Sequence, residues 1–204
     1  MGNIIDDIRA NEDTFADRPF NEVDSLALAQ LSYARMPVNV PRLDAEATDV
    51  DLAMVGVRDL LRAECYDDMF GKVWSPSMNV DLLRAMCESP RWRDLRVGGY
   101  VDEFDPETTK QFSACVFDVG DGSSYVAFRG TDSTIVGWKE DFAMAFRRPV
   151  AAQESAARYL ADIAGLRDGP LMVGGHSKGG NLAVYAAANA PAAAAGAPYR
   201  RVLP

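Results

Sequence analysis

The chain has 204 residues, 48% hydrophobic and 25% charged, so it carries enough apolar material for a core and is not predominantly disordered. Twenty-one basic against 30 acidic residues give a formal net charge of −9, the wrong sign for a general nucleic-acid surface. The single histidine, His176, excludes any mechanism that draws two imidazoles from this chain.

Residues 1–20 are acidic and polar and predict a short helix followed by a loop. No basic stretch followed by an apolar run is present, so no secretory signal is read here. Asp6 stands where a myristoylation pattern needs Ser or Thr. From Asn21 to Ala34, Val23, Leu26, Ala27, Leu31 and Ala34 recur at helical spacing behind an Asn suited to cap them. Pro37 and Pro41 mark a loop over 36–49, and helices are expected over Val50–Cys65 and Val80–Glu88, the second stopped by Ser89-Pro90. The pattern then changes. Strands are expected over Val97–Phe104, Phe112–Val119 and Ser124–Phe128, the last two joined by a hairpin at Gly120-Asp121-Gly122. Tyr125 to Phe128 is apolar at every position, which suits a central strand covered on both faces. A helix over Ala151–Leu166, a strand over Leu171–Val173, a glycine-rich turn and an Ala-rich helix over Asn181–Asn189 complete the order. The fold class is therefore α/β, in one domain with a mostly helical part over 1–95 and a sheet-containing core over 96–204.

Cys65, Cys87 and Cys115 are widely spaced with no C-x-x-C pair, which predicts reduced thiols and neither a zinc site nor a redox motif. No stretch has the length and apolarity of a membrane span, and a soluble cytoplasmic location is expected. Scattered carboxylates and the lack of Gly-Lys-Ser or Gly-Lys-Thr argue against a calcium loop and a P-loop, so no metal or cofactor is expected.

Gly175-His176-Ser177-Lys178-Gly179 matches G-x-S-x-G between an expected strand and an expected helix. That context lifts a serine onto a sharp turn, and flanking glycines let neighbouring backbone approach. The helix start behind it favours developing negative charge. A second constellation, Phe128-Arg129-Gly130-Thr131-Asp132-Ser133, ends the hairpin's second strand, where on its own it reads as a loop satisfying backbone groups.

Phe128-Arg129-Gly130-Thr131, Trp138, Asp141 and Gly175 to Gly180 together resemble the lipase class 3 pattern. The run Phe128–Phe146 and the segment Phe20-Asn21-Glu22-Val23-Asp24 resemble more narrowly a bacterial family of lipase-like α/β hydrolases, the Mbeg-like proteins, over Met1 to about Ala188. The resemblance implies an α/β-hydrolase-like sheet with a nucleophile elbow. It casts Ser177 as nucleophile and Thr131 and the Lys178 N–H as the oxyanion hole. It also places a lid over Ser133 to about Arg148, a stretch that equally suits a packed core helix. The implied partner is a small-molecule ester or lipid.

The usual chain order of such a triad is Ser, then Asp or Glu, then His. The 27 residues after Ser177 contain none of these three types. His176 adjoins the serine and is expected to pack or hydrogen-bond beside the turn, and Lys178 is poorly placed as a base. Tyr199 to Pro204 reads as the start of a further strand, so the sheet is expected to be truncated after the nucleophile helix, leaving an exposed edge beside Leu171–Val173 that invites self-association. The expectation is thus a lipase- or esterase-type fold with little activity in this chain. A non-catalytic interaction module on the same fold is the alternative. A third reading, acyl carriage at Asp24-Ser25-Leu26, is set aside because the triplet lies inside a helical pattern.

Overall fold

A computed structural model describes residues 2–44, 52–107, 110–131, 146 and 149–189, together with the backbone of 199–203. Six strands form one mixed sheet whose spatial order follows the sequence. β1 (Met54–Gly56), β2 (Arg96–Asp105), β3 (Lys110–Asp118) and β4 (Ser124–Phe128) make an antiparallel meander. β5 (Leu171–Gly175) and β6 (Tyr199–Leu203) then continue parallel to β4. The helices among the described residues are α1 (Ile4–Ala10), α2 (Glu22–Leu31), α3 (Tyr66–Phe70), α4 (Pro76–Glu88), α5 (Ala151–Leu166) and α6 (Lys178–Asn189).

The sheet divides two cores by the two-residue period of its strands. Cys115, Phe117, Tyr125 and Ala127 face the N-terminal helices, against Leu28, Leu31, Leu83 and Trp92. Their neighbours Ala114, Val116, Val126 and Phe128 face α5 and α6, against Ala156, Leu160, Ile163 and Leu182. This explains the unbroken apolar run of β4: all five of its residues are buried, as expected for a strand covered on both sides. Each large side chain so buried stabilises the fold by about 1.5–3 kcal/mol before entropy is counted.

Local chemistry sets the helix starts. Asn21 accepts from the N–H groups of Val23 and Asp24, and Asp24 accepts in return from the Asn21 N–H at 2.9 Å. This reciprocal cap supplies about 1 kcal/mol. Asp24 also pairs at 2.5 Å with Arg91, whose buried guanidinium donates to the carbonyls of Asp13, Thr14, Arg18 and Pro19 and lies 4.0 Å from the Phe15 ring. One arginine thereby ties the loop before α2 to the chain just after α4. The hairpin between β3 and β4 spans five residues, and Asp121 accepts from the Ser123 N–H inside it.

Three sequence expectations are corrected. No helix forms in the described part of Val50–Cys65; the chain makes β1 and then short 3-10 turns at Val57–Leu60 and Ala63–Cys65. Backbone pairing of Met54, Val55 and Gly56 with Gly98, Val97 and Arg96 outweighs the helical spacing of that stretch. Nor is Leu171–Val173 a sheet edge, because β6 pairs with it. The strand expected to begin at Tyr199 is that edge strand. α4 also starts a turn earlier than its apolar spacing indicates, with Pro76 in its first turn. No described helix is long and apolar enough to cross a membrane.

Candidate active site

Parallel β4 and β5 end side by side, with Phe128 paired to Gly175. Such carboxyl ends are where open α/β sheets bind ligands. β5 passes through His176 and Ser177 directly into α6. Ser177 has φ +58°, a left-handed conformation that costs an L-residue roughly 1–2 kcal/mol. Its carbonyl accepts from the N–H groups of Gly180 (3.0 Å) and Asn181 (3.3 Å), and the His176 carbonyl accepts from Gly179 (3.0 Å). The turn is thus closed by backbone bonds alone. Ser177 is exposed, and its Oγ makes no hydrogen bond among the described residues.

Close approach dictates the glycines. A Cβ on Gly179 would run into the Phe128 carbonyl oxygen and lie 3.1 Å from the Arg129 carbonyl carbon. One on Gly175 would also strike the Phe128 oxygen and lie 2.6 Å from the Gly179 carbonyl carbon. One on Gly130 would collide with Tyr33 Oη and lie 2.7 Å from the His176 oxygen. The G-x-S-x-G and Phe-Arg-Gly segments therefore lock together through backbone, with no room for side chains between them.

Lys178 extends away from the exposed face. It is 5% exposed, and its Nζ donates to the Gln111 carbonyl (2.7 Å) and to Gln111 Oε1 (3.2 Å) on β3. That anchors the first residue of α6 and leaves the ammonium group engaged on β3, in keeping with the expectation that Lys178 is poorly placed as a base. Thr131 is half-buried and follows Gly130 past the end of β4. Arg129 is buried between them, donating to Asp102 Oδ1 on β2 at 2.8 Å, while its N–H donates to the Ser113 carbonyl at 2.9 Å. The two motifs are therefore brought to one end of the sheet.

His176 is exposed, and its Nδ1 lies 3.1 Å from Tyr33 Oη, a hydrogen bond beside the turn as the sequence suggests. The lid expected over Ser133 to about Arg148, with Trp138 and Asp141, lies outside the described residues, Phe146 excepted. Ser25 is fully buried with its Oγ 2.8 Å from Tyr125 Oη, so the acyl-carrier reading has no accessible hydroxyl. Two of the three thiols are no rivals for the nucleophile's part: burial pushes Cys115 up to about 12 and Cys87 up to about 11. Tyr33, Asp102 and Gln111 support the site from far along the chain, and nothing in their local sequence marks them.

The family model described as Mbeg1-like matches residues 86–196, more than half of the chain. The chain belongs to the Mbeg1-like family. No curated protein and no solved structure matches it. The Mbeg1-like match embraces both motifs, from the chain ahead of β2 to beyond α6.

Proposed function

We propose that this Mbeg1-like protein carries a serine-hydrolase site of the lipase or esterase type on an α/β-hydrolase-like sheet, with the β5–α6 turn as its nucleophile elbow. The observation that carries the reading is an exposed serine at φ +58° between glycines that admit no side chain. Strain at a solvent-facing hydroxyl, held by a packed surround, belongs to sites that present a reacting atom. The substrate is a small-molecule carboxylic ester or lipid. Ser177 Oγ attacks the acyl carbon, its proton passes to a general base, and the carbonyl electrons move onto oxygen. The N–H groups of Thr131 and Lys178 hold that oxyanion. Collapse expels the alcohol and leaves an acyl-enzyme, which water hydrolyses.

Residues 178–204 hold no Asp, Glu or His, so they do not supply the base and carboxylate in the usual order after the serine. The same lack favours the second reading, a non-catalytic interaction module on this fold. A fluorophosphonate probe followed by peptide mass spectrometry separates the two. The hydrolase reading expects a slow adduct on Ser177, roughly 10⁴-fold slower than a complete triad gives, and none in Ser177→Ala. No adduct at Ser177 under saturating probe favours the module. Rapid labelling would show that the 204 residues already contain a competent base.

A further inference from the structure

Tyr33 belongs to the turn just after α2, 143 residues before His176, yet its hydroxyl sits against Gly130 and His176, just past the ends of β4 and β5. There it occupies the space a side chain on Gly130 would fill. Its Oη lies 3.1 Å from His176 Nδ1. The two ring centroids are 6.1 Å apart at 56°, so the contact is made through that hydrogen bond and not by stacking.

Acid–base chemistry gives the bond its direction. A phenol, with an ordinary pKa of about 10, is a better proton donor than a neutral imidazole N–H. An imidazole nitrogen is likewise a better acceptor than a phenol oxygen. Of the two directions open to this bond, that chemistry favours Tyr33 as donor and Nδ1 as acceptor, and a neutral ring so held carries its one proton on Nε2. Nε2 lies across the ring from Nδ1, the ring is exposed, and no described residue bonds that nitrogen. Ser177 is the next residue and is exposed as well.

We infer that Tyr33 is a positioning residue of the Ser177 site, holding His176 as the tautomer that offers an Nε2–H donor to an oxygen of the bound acyl group. The inference rests on the serine-hydrolase reading of Ser177. It also explains why the one imidazole beside the serine is not its base: a nitrogen that already bears a proton cannot take another from Oγ without first losing its own. The ligand recognised is an acyl compound with an acceptor oxygen near the scissile carbonyl.

Because the chain has one histidine, long-range proton–nitrogen correlation spectra of the ¹⁵N-labelled protein at alkaline pH report this ring alone. The expected spectrum has a pyridine-like Nδ1 and a pyrrole-like Nε2. Tyr33→Phe removes the donor, and Gly130→Ala displaces it; both should shift the ring toward a mixture of tautomers and slow phosphonate labelling of Ser177 about tenfold. Ser177→Ala should leave the tautomer unchanged. A wild-type ring protonated on Nδ1, which needs no variant to observe, overturns the inference. So does a tautomer shift in Tyr33→Phe with no change in labelling rate, which would confine the pair to a structural part. Complete absence of labelling in the wild type, whatever the tautomer, sinks the serine-hydrolase reading instead.

Discussion

Two serines in the described structure adopt the left-handed conformation, Ser75 with φ +52° and Ser177 with φ +58°, and both stand immediately before a helix. Their surroundings differ. Ser75 is exposed and is followed by Pro76, and the buried Asn79 gathers its turn by donating to the carbonyls of Trp74 (2.8 Å) and Ser75 (3.1 Å). Asn79 is itself held by the Gln30 amide at 2.8 Å. One side chain thus organises the turn before α4. The turn before α6 is organised by backbone, with Gly175 and Gly179 against the Phe128 carbonyl and no contribution from the Ser177 hydroxyl. Positive φ alone does not mark a site. What separates the two serines is that one turn's polar side chain is spent on the fold, whereas the other turn is rigid without it.

The largest expected effect breaks the second turn. Gly179→Ala places a methyl group against a backbone oxygen in a fully packed strand, and neither can move without disturbing β4. We expect a loss of about 3 kcal/mol or more, at the upper end for overpacking, read by urea unfolding. Pro76→Ala at the first turn should cost under about 1 kcal/mol, since it changes chiefly chain entropy and an exposed ring. Equal losses would remove the distinction between the turns. Next in size, Asn79→Ala takes the side-chain donor from the Trp74 carbonyl and the acceptor from the Gln30 amide and should cost about 2 kcal/mol. Ser177→Ala should stay within about 0.5 kcal/mol of wild type, because its Oγ makes no hydrogen bond among the described residues.

Sequence patterning made β2 to β4, the crossover helix and the glycine turn legible. β4 and α5 fall where their apolar runs place them, because both bury side chains in register with their own periods. The stretch before Cys65 misled, because β1 is held by pairing with β2 and three backbone partners decide its state, not its own spacing. The site was legible where the chemistry is local: Ser177 and its glycines lie in one pentapeptide. Tyr33, Gln111 and Asp102 were not, because each reaches the motifs from a different element. Lys178 illustrates the limit within a single residue. Its place after Ser177 fixes where its N–H stands, but only the fold shows its ammonium group buried against β3.

A small gain sharpens the comparison most, because it should raise stability at both turns and abolish labelling at one. Replacing either serine by glycine relieves about 1–2 kcal/mol of left-handed strain and gives back about 0.5–1 kcal/mol through the freer unfolded chain. The net gain is about 0.5–1 kcal/mol for Ser75→Gly and for Ser177→Gly alike, measured as a shift in unfolding midpoint. Only Ser177→Gly should lose its phosphonate adduct. If Ser177→Gly gained nothing while Ser75→Gly did, the strain at Ser177 would be relieved by contacts of its hydroxyl in solution, and a side chain so employed would not be poised to attack. A gain at both sites, with labelling lost at one, means that the fold tolerates strain at Ser177 in order to hold that hydroxyl out.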